Sequence, residues 1–242
     1  MAKGVFIVGT DTDVGKTVVT AGLMHVLRSN GYKATYFKAA LSGALEIGNK
    51  LIPGDTKLVS EVSKLEEAYE NITPYVYKTA VSPHLAAKLE NNPMDLDIVR
   101  KKYTYLKEKY DFIIAEGSGG IVCPLIDHER GLYSLENLIK DLNMSVIVVA
   151  RAGLGTINHT VITVKYIENL GIKIKGIIVN NYKDNFLCDD NIEMIEKLTK
   201  VPIIGKLKSI ENLEEDMIEA IRRNAEEAFH PLKIIECMEE LK

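Results

Sequence analysis

A chain of 242 residues with 46% hydrophobic content can bury one sizeable core, and residues 1–242 are read as one domain. Its formal net charge of −4 gives no global attraction to nucleic acid or to an anionic membrane, so any anion site must be built locally. Three widely separated cysteines, Cys123, Cys188 and Cys237, lack Cys-x-x-Cys spacing, which argues against a disulfide framework and a structural zinc site and points to a reducing cytoplasm.

The first apolar run, Val5-Phe6-Ile7-Val8, predicts a buried strand. It leads into Gly9-Thr10-Asp11-Thr12-Asp13-Val14-Gly15-Lys16-Thr17 rather than into a cleavage site, and no later run approaches membrane-spanning length, so a soluble, cytoplasmic chain is expected. An amphipathic helix follows, with Val18, Val19, Gly22, Leu23, Val26 and Leu27 on one face and a stop at Asn30-Gly31. Strand, Gly-Lys-Thr and helix together predict a phosphate-binding loop. Its backbone N–H groups and the positive helix end converge on phosphate oxygens, Lys16 adds a cation, and the Thr17 hydroxyl can ligate Mg²⁺. Five residues separate Gly9 from Gly15 where the general pattern has four, and Thr10 stands where the first glycine is expected.

Further apolar runs at Ala34–Phe37, Phe112–Ala115, Val146–Ala150, Ile174–Val179 and Val201–Ile204 predict more strands. Between and after them, helices are predicted from Asp55 to about Ala68, at Pro83–Glu90, Asp95–Glu108, Leu135–Asp141, Thr156–Leu170, Asn191–Lys200 and Leu213–Ala228, and after Pro231. This alternation predicts an α/β fold, a parallel sheet flanked by helices of the P-loop NTPase kind. The charge-dense Lys101-Lys102 and Lys107-Glu108-Lys109 read as a solvated helix face.

In open parallel sheets ligands bind beyond the carboxyl ends of the strands, so the residues that follow each apolar run carry the information. They are Asp11 to Asp13, then Lys38 with Ser42-Gly43, then Glu116-Gly117-Ser118-Gly119-Gly120, then Asn180-Asn181. Glu116 stands where phosphate-loop enzymes present an acid toward Mg²⁺. Asp55 reads as a helix N-cap, the commoner role at such a position, or, with Thr17 and Glu116, as a third oxygen for that metal. Lys38 either snorkels to solvent or stabilises charge during phosphoryl transfer, and its place at a strand end favours the second. Ser42-Gly43 is a turn or a contact; spacing does not decide. His25, His84, His128 and His159 have no metal-ligand spacing, and Cys123 has no evident base to make it a nucleophile.

The ordered set formed by the Gly9–Thr17 loop, Lys38 with Ser42-Gly43, Ser82-Pro83-His84, Glu116–Gly120 with Pro124-Leu125, and Gly155-Thr156-Ile157-Asn158-His159 resembles the dethiobiotin synthetase family over most of the chain. The longer loop is that family's own form. The resemblance implies an ATP- and Mg²⁺-dependent enzyme that closes the ureido ring of dethiobiotin from 7,8-diaminopelargonic acid and carbon dioxide, through a carbamate and a carbamic–phosphoric anhydride. It implies that Lys16 and Lys38 offset charge in the transfer, that Thr12 and Ser42 orient the diamine and carbamate, and that Thr17, Asp55 and Glu116 hold the metal. For the nucleotide it implies the loop residues Asp13, Val14, Gly15, Lys16, Thr17 and Val18, then Glu116, Gly117 and Gly119, with Asn180, Pro202 and Gly205 around the adenine. It further implies a homodimer in which Gly155, Thr156, Ile157 and Asn158 receive the substrate carboxylate across the interface.

This chain departs from the family in having Lys38-Ala39 for Lys-Pro, Asp13 for glutamate, no evident tyrosine near Asn191 for the substrate tail, and a segment after His230 with no assigned counterpart. An alternative is a regulatory ATPase of the septum-positioning and plasmid-partitioning class. Such proteins carry a lysine five positions before the loop lysine, where this chain has Asp11. The synthetase half of a glutamine-dependent amidotransferase is a further alternative, but it needs another domain for which 242 residues leave little room.

Overall fold

The β-branched apolar runs become strands covered by helices on both faces, the arrangement that a parallel sheet requires. The structure, a computed structural model, describes residues 1–48, 50–128, 131–210 and 216–241. In chain order β1 (Lys3–Gly9) leads through the glycine-rich loop into α1 (Lys16–Ser29), then β2 (Ala34–Phe37), β3 (Ala40–Ser42), β4 (Leu45–Ile47), β5 (Lys50–Ile52) and α2 (Gly54–Ser63). Next come α3 (Tyr69–Ile72), β6 (Tyr75–Tyr77), α4 (Pro83–Leu89), α5 (Leu96–Lys109), β7 (Phe112–Gly120), β8 (Pro124–His128), β9 (Gly131–Ser134) and α6 (Leu135–Asp141). The chain continues through β10 (Val146–Arg151), α7 (Thr156–Asn169), β11 (Ile174–Tyr182), α8 (Phe186–Thr199), β12 (Ile203–Lys208), α9 (Met217–Ala228), α10 (Pro231–Glu236) and β13 (Glu239–Glu240).

The central sheet has the parallel order β12-β11-β10-β1-β7-β2, with β13 antiparallel to the start of β1. From β1 the chain skips a position to β2 at one edge, returns to β7, and then builds the other half from β10 outward. Every carboxyl strand end therefore opens on one side, around β1. Helix α1 is buried almost all round, because it lies between the sheet and the helices α2 and α9. Its Gly22 lets α9 approach: a Cβ there would stand 2.9 Å from Ala225 Cβ. Arg28 closes the helix by donating to the carbonyls of Ser63, Ala34 and Lys64.

All six expected strands form, Ala34–Phe37 with the expected bounds and the other five with shifted ends. The Gly117–Gly120 stretch, which lies beyond the apolar run Phe112–Ala115, continues β7. Strand β12 starts at Ile203 rather than Val201, because Pro202 has no N–H and enters only as the acceptor for Ile177 N at 2.9 Å. Helix α2 stops at Ser63, short of Ala68, on a left-handed Lys64 at φ 54°. Helix α8 begins five residues before Asn191, capped by the Asn185 side chain, which accepts from Cys188 N at 3.0 Å. Helix α9 starts at Met217 after an Asp216 cap, and the expected start at Leu213 lies outside the described residues. The short pairs β3–β6, β4–β5 and β8–β9 were not expected. No helix among the described residues is long and apolar enough to cross a membrane.

Candidate active site

The loop after β1 is shaped by one glycine more than by the others. Gly15 has φ 89°, and a Cβ on it would stand 1.9 Å from Asn180 Nδ2. Both dihedral and space demand glycine. Asn180, near the carboxyl end of β11, donates that same Nδ2 to Val14 O at 3.0 Å and so ties the loop to this strand. Asp13 takes a left-handed φ of 57°, which aspartate tolerates. Lys16 donates Nζ to Asp11 O at 3.0 Å across the loop, passing over Gly9, where a Cβ would stand 2.9 Å from Nζ. Burial, with the nearby charge of Lys38, holds the Lys16 ammonium below the usual lysine range despite the surrounding carboxylates.

Beside the loop four side chains from four elements meet. Lys38, directly after β2, donates Nζ to Asp55 Oδ2 at 2.6 Å and to Glu116 Oε1 at 2.8 Å. Thr17, in the first turn of α1, donates Oγ1 to the same Glu116 Oε1 at 2.9 Å. Glu116 reaches them from β7, where it pairs with Ile7 of β1. Of the two readings of Asp55, the cap is not realised. Pro53 occupies that position without a side-chain hydrogen bond, and the Asp55 carboxylate turns to Lys38. Burial alone would depress the Lys38 ammonium, but Glu116 and Asp55 outweigh it and hold the group above its ordinary value. Burial likewise opposes ionisation of Asp55, and Lys38 and Thr17 reverse this, keeping its carboxyl below the ordinary aspartate value.

One hydroxyl and two carboxylates converge here, and Glu116 Oε2 is buried without a hydrogen-bond partner. Among the described residues no group of three His, Cys, Asp or Glu side chains forms a protein-only cage. A donor set of few carboxylates, leaving room for phosphate and water, is the one Mg²⁺ prefers, so these residues fit that ion.

The loop and this cluster face a cleft of about 1270 Å³. Thr12, Asp13, Gly15, Lys16, Thr17 and Val18 line it, as do Lys38, Ser42, Asp55, Glu116 and Gly119. Ser42 Oγ is buried and unpartnered. Gly117 contributes its carbonyl, 3.5 Å from Lys38 Nζ, and a Cβ there would stand 2.6 Å from Leu135 Cδ2. Ser118 is pinned, donating to Ala40 O at 2.8 Å. Sequence reasoning missed Leu41, Ile121, Val122, Ile162 and Tyr166 in the cleft wall, since their apolar character matches that of any core residue. Tyr166 donates its hydroxyl to Glu136 Oε1 at 3.1 Å. Cys123 also lines the wall, and burial pushes its thiol up to about 11, which leaves it protonated and inert at neutral pH.

The remaining expected residues lie elsewhere. A smaller cavity of about 160 Å³ opens on the far side of Val18, between Asn180, Asn181, Leu207, Lys208 and the α9 residues Met217, Ile221 and Asn224. Pro202 and Gly205 are not brought to it. Pro202 is at the amino end of β12 and Gly205 packs on Phe229, while the strand's last residues reach the cavity. Gly155, Thr156, Ile157 and Asn158 open α7 outside both cavities. Thr156 is turned inward, donating to Arg151 O at 2.5 Å, and Asn158 is exposed. Asn191 braces the preceding loop by donating to Ala152 O and Gly153 O at 3.0 and 3.2 Å.

A glycine-rich loop on a helix start, two cations and a pair of carboxylates at the carboxyl edge of a parallel sheet define a P-loop nucleotide-binding protein. The AAA domain family matches residues 3–217. In overall shape the chain is similar to a ParA family ATPase from Chlorobium tepidum (TM-score 0.56, 15% identity, 97% of this chain and 96% of that one). It is also similar to the MinC:MinD cell division protein complex of Aquifex aeolicus (TM-score 0.54, 16% identity, 92% and 86%). These likenesses show the fold alone. In sequence the chain is 76% identical over 241 residues to the ATP-dependent dethiobiotin synthetase BioD of Clostridium kluyveri, covering 100% of both chains. It is 52% identical to the protein of that name from Clostridium acetobutylicum (99% and 100% covered) and 41% identical to that of Brachyspira hyodysenteriae (91% and 99%). The chain belongs to the ATP-dependent dethiobiotin synthetase family, ligases of biotin biosynthesis.

Proposed function

We propose that the cleft closes the ureido ring of dethiobiotin from 7,8-diaminopelargonic acid, carbon dioxide and ATP, with the residues gathered at the phosphate loop in defined roles. The observation that carries this is the junction of Lys38 with Asp55 and Glu116, within reach of Thr17, on the wall of a cleft large enough for nucleotide and diamine. The substrate's 7-amino group takes up carbon dioxide as a carbamate. A carbamate oxygen attacks the γ-phosphorus of ATP, ADP leaves, and a carbamic–phosphoric anhydride forms. The 8-amino nitrogen then attacks the anhydride carbonyl, its proton is lost, and phosphate departs as the ring closes. Because the carbamate is the nucleophile, no protein side chain need be one, which accords with an inert Cys123 thiol.

Lys16 and Lys38 bind the negative charge that passes from carbamate to phosphoryl group, a role for cations fixed in a largely buried site. The backbone N–H groups of Asp13 to Val18 orient the phosphates at the start of α1. Ser42, whose buried hydroxyl has no protein partner, and Thr12 across the cleft orient the carbamate and amines. Thr17, Asp55 and Glu116 would hold Mg²⁺, which would supply positive charge against the phosphates. The smaller cavity receives the adenine, with the Asn180 amide at its inner wall. Two copies of the chain share each substrate site through the start of α7, where Leu154 is 92% exposed, and the first residue of α8, Phe186, is 85% exposed. A cytoplasmic location accords with three free cysteines.

The test is phosphate release with ATP, Mg²⁺ and bicarbonate in the presence and absence of 7,8-diaminopelargonic acid. Release that requires the diamine and matches dethiobiotin formed supports the reading. Equal hydrolysis without the diamine, and no ring product, would sink it.

A further inference from the structure

Tyr36 lies on β2, fully buried, and its hydroxyl has no hydrogen-bonded partner. Glu116 Oε2 shares that condition, whereas Oε1 of the same carboxylate already accepts from Thr17 and Lys38. The two orphaned oxygens are neighbours. In the parallel register of β2 and β7, Tyr36 pairs with Ile114 and Phe37 with Ala115, so Tyr36 shares the sheet face of Ile114 and Glu116, one rung below the carboxylate. A phenol keeps its proton at neutral pH and so can donate to a carboxylate. An ionised carboxylate only accepts, so the two are complementary. A phenylalanine would fill the same space without burying a hydroxyl, and a buried hydroxyl is unfavourable unless it is hydrogen-bonded.

We propose that Tyr36 is a positioning residue for the metal carboxylate: its hydroxyl donates to Glu116 Oε2 and turns Oε1 toward Thr17, Lys38 and the Mg²⁺ position. This rests on the reading of Thr17, Asp55 and Glu116 as the holders of Mg²⁺. It adds a residue that never touches metal, nucleotide or substrate.

The experiment is a calorimetric titration of Mg²⁺ into the ADP-loaded protein, wild type and Tyr36→Phe, with the ultraviolet difference spectrum on adding metal. Removing a hydrogen-bond partner of a metal ligand typically weakens metal binding by about 10-fold to 100-fold, and a loss in that range is expected for Tyr36→Phe. Nucleotide affinity without metal should be unchanged. In the wild type the metal should perturb a tyrosine absorption band as charge is drawn from Glu116, and this perturbation should vanish in the variant. If the wild type binds no Mg²⁺, the metal reading itself fails. Where the wild type binds and Tyr36→Phe binds equally, the role of Tyr36 is overturned and the metal reading stands. A wild-type spectrum with no tyrosine change on metal binding overturns it as well, without recourse to the variant.

Discussion

Lys38 stands between two carboxylates, and its side chain is 5% exposed, against 0% for Glu116 and 37% for Asp55. In the protein alone it is the cation that makes their proximity tolerable. Removing one member of a buried ion pair typically costs about 3–5 kcal/mol, and the exposure of Asp55 lowers that figure here. For Lys38→Met the expected result is therefore a lower melting temperature without metal, a larger rise on adding Mg²⁺ than in the wild type, and loss of dethiobiotin formation. A metal-free melting temperature equal to that of the wild type would show that Lys38 is not the balancing charge. Lys38, Glu116 and Thr17 were legible in the sequence because each directly follows a strand or loop whose period is clear. Asp55 was ambiguous, since Pro53-Gly54-Asp55 looks like a helix start and is one; only the fold shows that its carboxylate faces Lys38 rather than the helix N–H groups. Tyr36 was invisible because its neighbour Glu116 is 80 positions away on another strand.

Among elements, the join of β1 to α1 governs the site, and Gly15 governs the join. An alanine there would have to adopt φ 89° and displace the Asn180 amide from Val14 O. Strain of this kind is about 1–3 kcal/mol, so Gly15→Ala should weaken nucleotide binding by about tenfold or more while circular dichroism stays unchanged. Unaltered nucleotide affinity would contradict the claim that Asn180 clamps the loop. The long strands and helices were legible because their apolar period repeats over several turns or rungs. Three-residue strands such as β3, β4 and β6 are too short to show a period. The end of α2 was missed because Lys64, not glycine, adopts the left-handed cap. The segment after His230, unassigned from the family pattern, has a role in the fold: β13 pairs with Lys3–Gly4, and Leu241 N donates to Ala2 O at 2.9 Å, closing the exposed start of β1.

At the scale of the whole molecule, the likeness to the ParA and MinD proteins at 15–16% identity is one of fold, and a fold alone does not name a reaction. What separates this chain from a partitioning ATPase is local: Asp11 stands five positions before Lys16, and its carbonyl accepts from the Lys16 ammonium at 3.0 Å. The adenine reading shows the reverse limit. Asn180 lies beside the small cavity, but the rest of its wall comes from Leu207, Lys208 and α9, which no spacing rule connects to β11. The central claim is that a substrate carbamate, not water or a side chain, attacks ATP. Rapid turnover with ¹⁸O-labelled carbon dioxide in unlabelled water tests it directly. If the carbamate attacks, one labelled oxygen appears in each phosphate released with dethiobiotin. Phosphate carrying only solvent oxygen, formed before labelled carbon dioxide exchanges with water, would contradict the account.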